Sequence, residues 1–228
     1  MLPFLAPWLS ENLWGPFRLF GSHMILIGLG TALTAAVAWT LVGTISHKLA
    51  RDGGRPNTPT PEAALGKPTG AGLYMLLAAV PVLFFVLPPG MRMWEIIGCL
   101  CLAMLTGWFD DASAVPWGEW KKGLFDLLIA VVAATAFCRG APVDVWLPLT
   151  SATLTVHPVL YVLVASPLLW ICINATNCTD GVDGLAGSLT LLSLFYLGGF
   201  LYVVVGHKDM ATYLLLPHNP NGARWAIL

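Results

Sequence analysis

Residues 24–45 run for 22 positions without one charged side chain, and five further apolar runs follow at 73–87, 96–109, 124–137, 156–173 and 185–205. A helix rises about 1.5 Å per residue, so about 20 apolar residues match the hydrocarbon core of a bilayer. No single water-soluble core can hide six such runs in 228 residues, because a domain of that size leaves much of its surface wet. The composition agrees: 57% of residues are hydrophobic and 10% are charged, where soluble domains carry about 25% charged residues. The expected fold is therefore all-α, a polytopic transmembrane helix bundle with six full spans and the start of a seventh. With 11 basic and 12 acidic residues there is no basic footprint for nucleic acid.

Residues 1–22 do not read as a signal peptide, because Pro3, Pro7, Glu11 and Pro16 interrupt them and no basic leader precedes them. Their Trp and Phe content fits a lead-in lying at the membrane interface, within one integral-membrane domain over 1–228. A seventh apolar run starts at Ala223 and the sequence stops at Leu228, so the chain is expected to be the front portion of a longer protein or the product of a truncated gene. Cys99, Cys101, Cys138, Cys172 and Cys178 lie in or beside apolar runs without metal-ligand spacing and read as small buried hydrophobes.

Six spans alternate the intervening segments between two faces. One face receives 47–72, 110–123 and 174–184, with Lys48, Arg51, Arg55, Lys67, Lys121 and Lys122. The other receives Arg18, Arg92, Arg139 and Lys208, including a loop at 139–155. The positive-inside rule places the first face in the cytoplasm. Asp110, Asp111, Asp180 and Asp183 all fall on that face, at the ends of spans. A carboxylate beside hydrocarbon is costly unless it meets water, a cation or a partner, so two such pairs on one face suggest a shared cation site. Hard divalent cations such as magnesium take carboxylate and phosphate oxygens.

Three motifs carry the chemistry. Gly107-Trp108-Phe109-Asp110-Asp111 closes the third run, and adjacent carboxylates on a helix point in different directions, so one can face a metal while the other faces a substrate. Asn174-Ala175-Thr176-Asn177-Cys178-Thr179-Asp180-Gly181-Val182-Asp183-Gly184-Leu185-Ala186 sets polar side chains at an expected helix break, where Asn and Asp can read amide edges and hydroxyls of a nucleoside. Gly66-Lys67-Pro68-Thr69-Gly70-Ala71-Gly72 is a glycine-rich turn able to hold phosphate through backbone N–H groups and one ammonium, although it is not a P-loop. Lys121 and Lys122 can meet phosphate or anionic lipid.

In this order the three motifs resemble the polyprenyl-phosphate N-acetylhexosamine-1-phosphate transferase superfamily, over essentially the whole chain. Thr179 before Asp180 leans toward its members that use UDP-MurNAc-pentapeptide rather than UDP-GlcNAc. The resemblance implies transfer of a sugar-1-phosphate from that donor to undecaprenyl phosphate in a bacterial cytoplasmic membrane. The products are the lipid-linked sugar of peptidoglycan synthesis and UMP, and magnesium is required. It implies catalytic roles for Asp110, Asp111 and Asp180, with Asp110 as base toward the lipid phosphate and Asp111 and Asp180 at the metal. Substrate contacts would come from Lys67, Thr69, Asn174, Asn177, Gly181, Val182, Asp183, Lys121 and Lys122. A homodimer is left open. The chain departs from the superfamily at Lys67 and at Ala112-Ser113-Ala114, where a lysine is expected, and its later aspartate and histidine motifs would lie beyond Leu228. A GlcNAc-1-phosphate transferase and a non-catalytic remnant are the alternatives. A transporter fits less well, since its acids would sit near the midplane.

Overall fold

The computed structural model describes residues 1–49, 51, 65–87, 92–113, 115, 117–148, 152–179 and 184–228. Each of the six apolar runs is helical. After α1 (Leu2–Asn12) and a 3-10 turn at Gly15–Gly21 come α2 (His23–Ile45), α3 (Ala71–Val86), α4 (Met93–Asp111) and α5 (Glu119–Cys138). A two-stranded hairpin, β1 (Val143–Leu147) and β2 (Ala152–Val156), precedes α6 (Pro158–Thr179) and α7 (Leu185–Gly199). The chain closes with π-helical Phe200–Val205, α8 (Lys208–Tyr213) and α9 (Gly222–Trp225).

Among the described residues four helical stretches are long and apolar enough to cross a bilayer: His23–Lys48, Met93–Asp111, Pro158–Thr179 and Leu185–Val205. Length and composition alone thus support four of the six expected spans. Helix α3 is short, its 16 residues rising about 24 Å, and α5 carries Glu119, Lys121, Lys122 and Asp126 in its first half. The apolar surface decides the setting. Helix α7 buries none of its residues, leaving Leu191 71% and Phe195 74% exposed, which water would penalise heavily and lipid would not.

Contacts at the helix ends show neighbouring helices running in alternate directions. The Met1 ammonium donates to the carbonyls of Phe84 (3.2 Å), Phe85 (2.9 Å) and Leu87 (3.4 Å), capping the end of α3. Arg92 Nη1, at the start of α4, donates to Phe137 O at the end of α5 (2.7 Å), and Arg139 pairs with Glu95. At the other end Trp170 Nε1 of α6 donates to Gly123 O of α5 (2.8 Å). The dry core sits where α3 ends and α4 begins: Leu26, Val86, Leu87, Met93, Ile97 and Ile227 pack together there. The opposite end, where α4 stops at Asp111, is open.

Three sequence expectations need correction. The 139–155 loop contains the antiparallel hairpin, with Val143 opposite Val156; Ala-Thr-Leu-Thr-Val alternates with period two, and Val143, Val145 and Leu147 share one face of the opposing strand. Helix α6 does not break at Asn174. It continues through Thr179, and Asn174 Nδ2, Thr176 Oγ1 and Thr179 Oγ1 satisfy themselves within it by donating to the carbonyl four residues back. All five cysteines are free thiols, yet only Cys138 is buried, while Cys172 and Cys178 are exposed.

The C-terminal segment folds back onto the π-helical turn. A Cβ on Gly206 would lie 2.8 Å from Ala223 N and 2.9 Å from the carbonyl oxygens of Leu201 and Tyr202. Backbone cannot yield as a flexible side chain would. Gly206→Ala is therefore expected to destabilise this packing by about 1–3 kcal/mol, read as a lower thermal midpoint in detergent. An unchanged midpoint would show that the two segments do not pack this closely.

Candidate active site

At the open end, α4, α5 and α6 enclose a cavity of about 270 Å³. Asp110 and Asp111 enter it from the last turn of α4, Lys122 and Asp126 from the first two turns of α5, and Asn177 from the last turns of α6, with Trp117 and Phe125 completing the wall. Helix ends supply these side chains because the apolar stretches stop there.

Asp110 is held at both oxygens. Trp117 N–H donates to Oδ1 (2.9 Å) and the Lys122 ammonium reaches Oδ2 at 2.6 Å, with 18% of the Asp110 side chain exposed. The connection between α4 and α5 is shaped for this. Trp117 Nε1 donates to Ser113 Oγ (2.8 Å), which in turn donates to Phe109 O (2.6 Å), and the Trp117 ring packs on Phe125. Lys121, one residue before Lys122 and about 100° round the helix, stacks its ammonium 3.8 Å from the Trp117 ring centre. Only Lys122 of the two reaches the cavity. Asp111 is exposed, has interaction partners of its own, and lines both this cavity and a second space beside it.

That second space is an apolar groove of about 1340 Å³ running along α2, α3, α4 and α7, from Val86, Ile227 and Leu228 to Gly72 and Trp108. Gly107, Asp111, Ile173 and Asn177 line both spaces, so the polar cavity lies directly against the groove. The glycine-rich turn arrives alongside. Gly70 lines the groove with a φ of +75°, a left-handed conformation that glycine adopts without strain, and a Cβ added there would lie 3.6 Å from Trp108 Cδ1. Arg51 anchors this turn by donating from Nη1 to Gly66 O (2.8 Å) and bridging to Pro68.

Of the residues expected from sequence, Asp110, Asp111, Lys122 and Asn177 meet in one cavity. Asn174 does not: its amide binds Trp170 O within α6. Lys67 and Thr69 sit on the turn beside the groove and do not line the cavity. Asp180, Gly181, Val182 and Asp183 lie outside the described residues. Sequence reasoning passed over Asp126, although an acid three residues into an apolar run is the signal for a functional group. It also passed over Trp117, whose contribution is a backbone N–H that no side-chain pattern reveals.

Three carboxylates and one ammonium line the cavity, a formal charge of −2. The donors are oxygens throughout, the class that hard divalent cations select. Among the described residues no three His, Cys, Asp or Glu side chains converge enough to hold a metal alone. The set therefore suits a cation that keeps several water or phosphate ligands, as magnesium does.

A carboxylate cavity at one end of an apolar bundle, lying against a long apolar groove, belongs to an integral membrane protein. Residues 93–218 match the glycosyl transferase family 4, and the chain belongs to that family. It is 37% identical over 218 residues to the phospho-N-acetylmuramoyl-pentapeptide-transferases of two strains of Treponema pallidum. That match covers 94% of this chain and 60% of each relative. The enzyme of the same name from Chlorobium phaeovibrioides is 29% identical over 173 residues, covering 71% of this chain and 47% of the relative. The chain thus spans about 60% of the length of the Treponema relatives.

Proposed function

We propose that this protein carries the transfer of phospho-MurNAc-pentapeptide from its UDP donor to undecaprenyl phosphate, releasing UMP and forming the lipid-linked intermediate of peptidoglycan synthesis. The observation that carries the reading is that the carboxylate cavity and the apolar groove lie against each other, with Asp111 and Asn177 lining both. A water-soluble diphosphate and a phosphate on a hydrocarbon chain can meet only at such a boundary. The family and the names of the relatives support the same chemistry.

In this reading the polyprenyl chain lies in the groove and its phosphate reaches the cavity mouth. A lipid phosphate oxygen attacks the β-phosphorus of the donor, the bond between that phosphorus and the bridging oxygen breaks, and UMP leaves. Asp110 takes the proton from the lipid phosphate on Oδ2, after Lys122 has moved from that oxygen to phosphate. Trp117 N–H keeps Oδ1 in place throughout, so the carboxylate is oriented before substrate arrives. Asn177 orients phosphate at the shared rim. Asp180 would line the polar cleft with Asn177; Gly181, Val182 and Asp183 would meet the uridine; Lys67 and Thr69 would close over the nucleotide side, and Lys121 would meet phosphate. Asp111 and Asp180 would hold a magnesium ion, which offsets the charge of the diphosphate.

All six apolar helices would cross the cytoplasmic membrane with residues 1–22 at its surface. The cavity would face the cytoplasm, where the basic residues near it, Lys48, Arg51, Lys67, Lys121 and Lys122, also gather. The test is UMP release by the purified chain supplied with undecaprenyl phosphate and either UDP-MurNAc-pentapeptide or UDP-GlcNAc. Release with the pentapeptide donor alone supports the reading. Release with UDP-GlcNAc alone would transfer the site to the sister activity, and release with neither would make this chain non-catalytic by itself. Thr190→Trp, which fills the groove from α7, is expected to raise KM for the lipid about tenfold or more, about 1.4 kcal/mol of binding, with KM for the donor unchanged. Equal effects on both substrates would mean that the groove does not hold the lipid.

A further inference from the structure

Asp126 has no part in the scheme above, yet it stands half-buried on the cavity wall inside the apolar stretch of α5. An acid so placed has given up much of its hydration and needs a partner. The available one is Lys122, four residues earlier on the same helix and on the same wall, a spacing that puts the two side chains on one face. Lysine preceding acid is the weaker order for such a pair on an isolated helix, so propensity does not account for it. The shared cavity does. Lys122 is paired with Asp110 of α4, at 2.6 Å, while Asp126 stands one turn along α5 on the same cavity wall, where the ammonium can turn to it once Asp110 lets go.

We propose that Asp126 is a positioning residue that keeps the Lys122 ammonium inside the cavity when Asp110 gives it up to an incoming phosphate; this rests on the proposed transferase reading. An ammonium on a flexible four-carbon stem is strongly hydrated, and the Lys122 side chain is already 37% exposed. Released by Asp110 with nothing else to hold it, it would swing toward water. Lys121 shows the alternative, its ammonium resting on an indole face outside the cavity. With Asp126 behind it, Lys122 exchanges one oxygen partner for another within the cavity. Asp110 Oδ2 is freed for the lipid proton while the positive charge stays beside the diphosphate.

The test is acetylation of the purified full-length chain by an amine-directed reagent, quantified by mass spectrometry at Lys122 with Lys121 as internal reference. Wild type, Asp110→Asn, Asp126→Asn, Asp126→Glu and the Asp110→Asn/Asp126→Asn double variant are compared. Loss of one carboxylate partner is expected to speed labelling of Lys122 about threefold, the size of a partly exposed ion pair. The double variant should label faster than either single variant, and Asp126→Glu should stay near wild type. If Asp110→Asn labels Lys122 as fast as the double variant, Asp126 holds nothing and the proposal fails. Kinetics give the second readout: Asp126→Asn should raise KM for the UDP donor more than it lowers kcat, with recovery in Asp126→Glu. Labelling needs no turnover. A chain that protects Lys122 as described but transfers nothing would contradict the functional reading and leave the role of Asp126 standing.

Discussion

Asp110→Asn is expected to lower kcat by about 10²–10⁴-fold, the range a positioned general base contributes, while the donor still binds. The geometry makes the substitution specific. The amide oxygen of asparagine can still accept from Trp117 N–H, so the connection between α4 and α5 keeps its anchor. What is lost is the oxygen that Lys122 now occupies and that would take the lipid proton. Lys122 is partly exposed, so loss of its pair should change stability by no more than about 1 kcal/mol. Rates of UMP release, set beside UMP binding and the thermal midpoint, separate these terms. Full activity in Asp110→Asn would remove Asp110 from the chemistry.

Chelation of divalent cations is expected to lower transfer about 10³-fold, with recovery on adding magnesium. The cavity already carries a formal −2 from Asp110, Asp111 and Asp126 against Lys122, and both substrates bring phosphate. Two like charges 4 Å apart repel by about 4 kcal/mol at an effective dielectric of 20, which corresponds to about three decades in rate. One lysine cannot offset that. Asp111→Ala should raise the magnesium concentration needed for half-maximal rate, whereas Asn177→Ala should act mainly on donor KM. Transfer that proceeds undiminished in chelator would exclude the cation from the account.

The apolar runs were legible because a bilayer imposes a length and a polarity on each helix. The run at 24–45 became His23–Ile45, and the run at 185–205 became α7 with its π-helical continuation. Helix ends were less so. Asn174 and Thr179 look like turn residues, but α6 runs through both, with their side chains bonded back to the carbonyls of the preceding turn. Hence Asn177 projects into the cavity from a helix rather than from a loop. The hairpin at 143–156 was hidden in a segment read only as a connection between spans. Pairing Asp110 with Lys122 required knowing which of two adjacent lysines faces inward, and rotation about α5 decides that. The meeting of cavity and groove joins residues of α4 and α6 with no sequence relation.

Donor labelled with ³²P at the β-phosphate tests the central claim most directly. Incubated with the purified chain, undecaprenyl phosphate and magnesium, the label is predicted to pass into the organic phase in step with UMP, one for one. Label that stays in water, as intact donor or as free phosphate, would contradict the account.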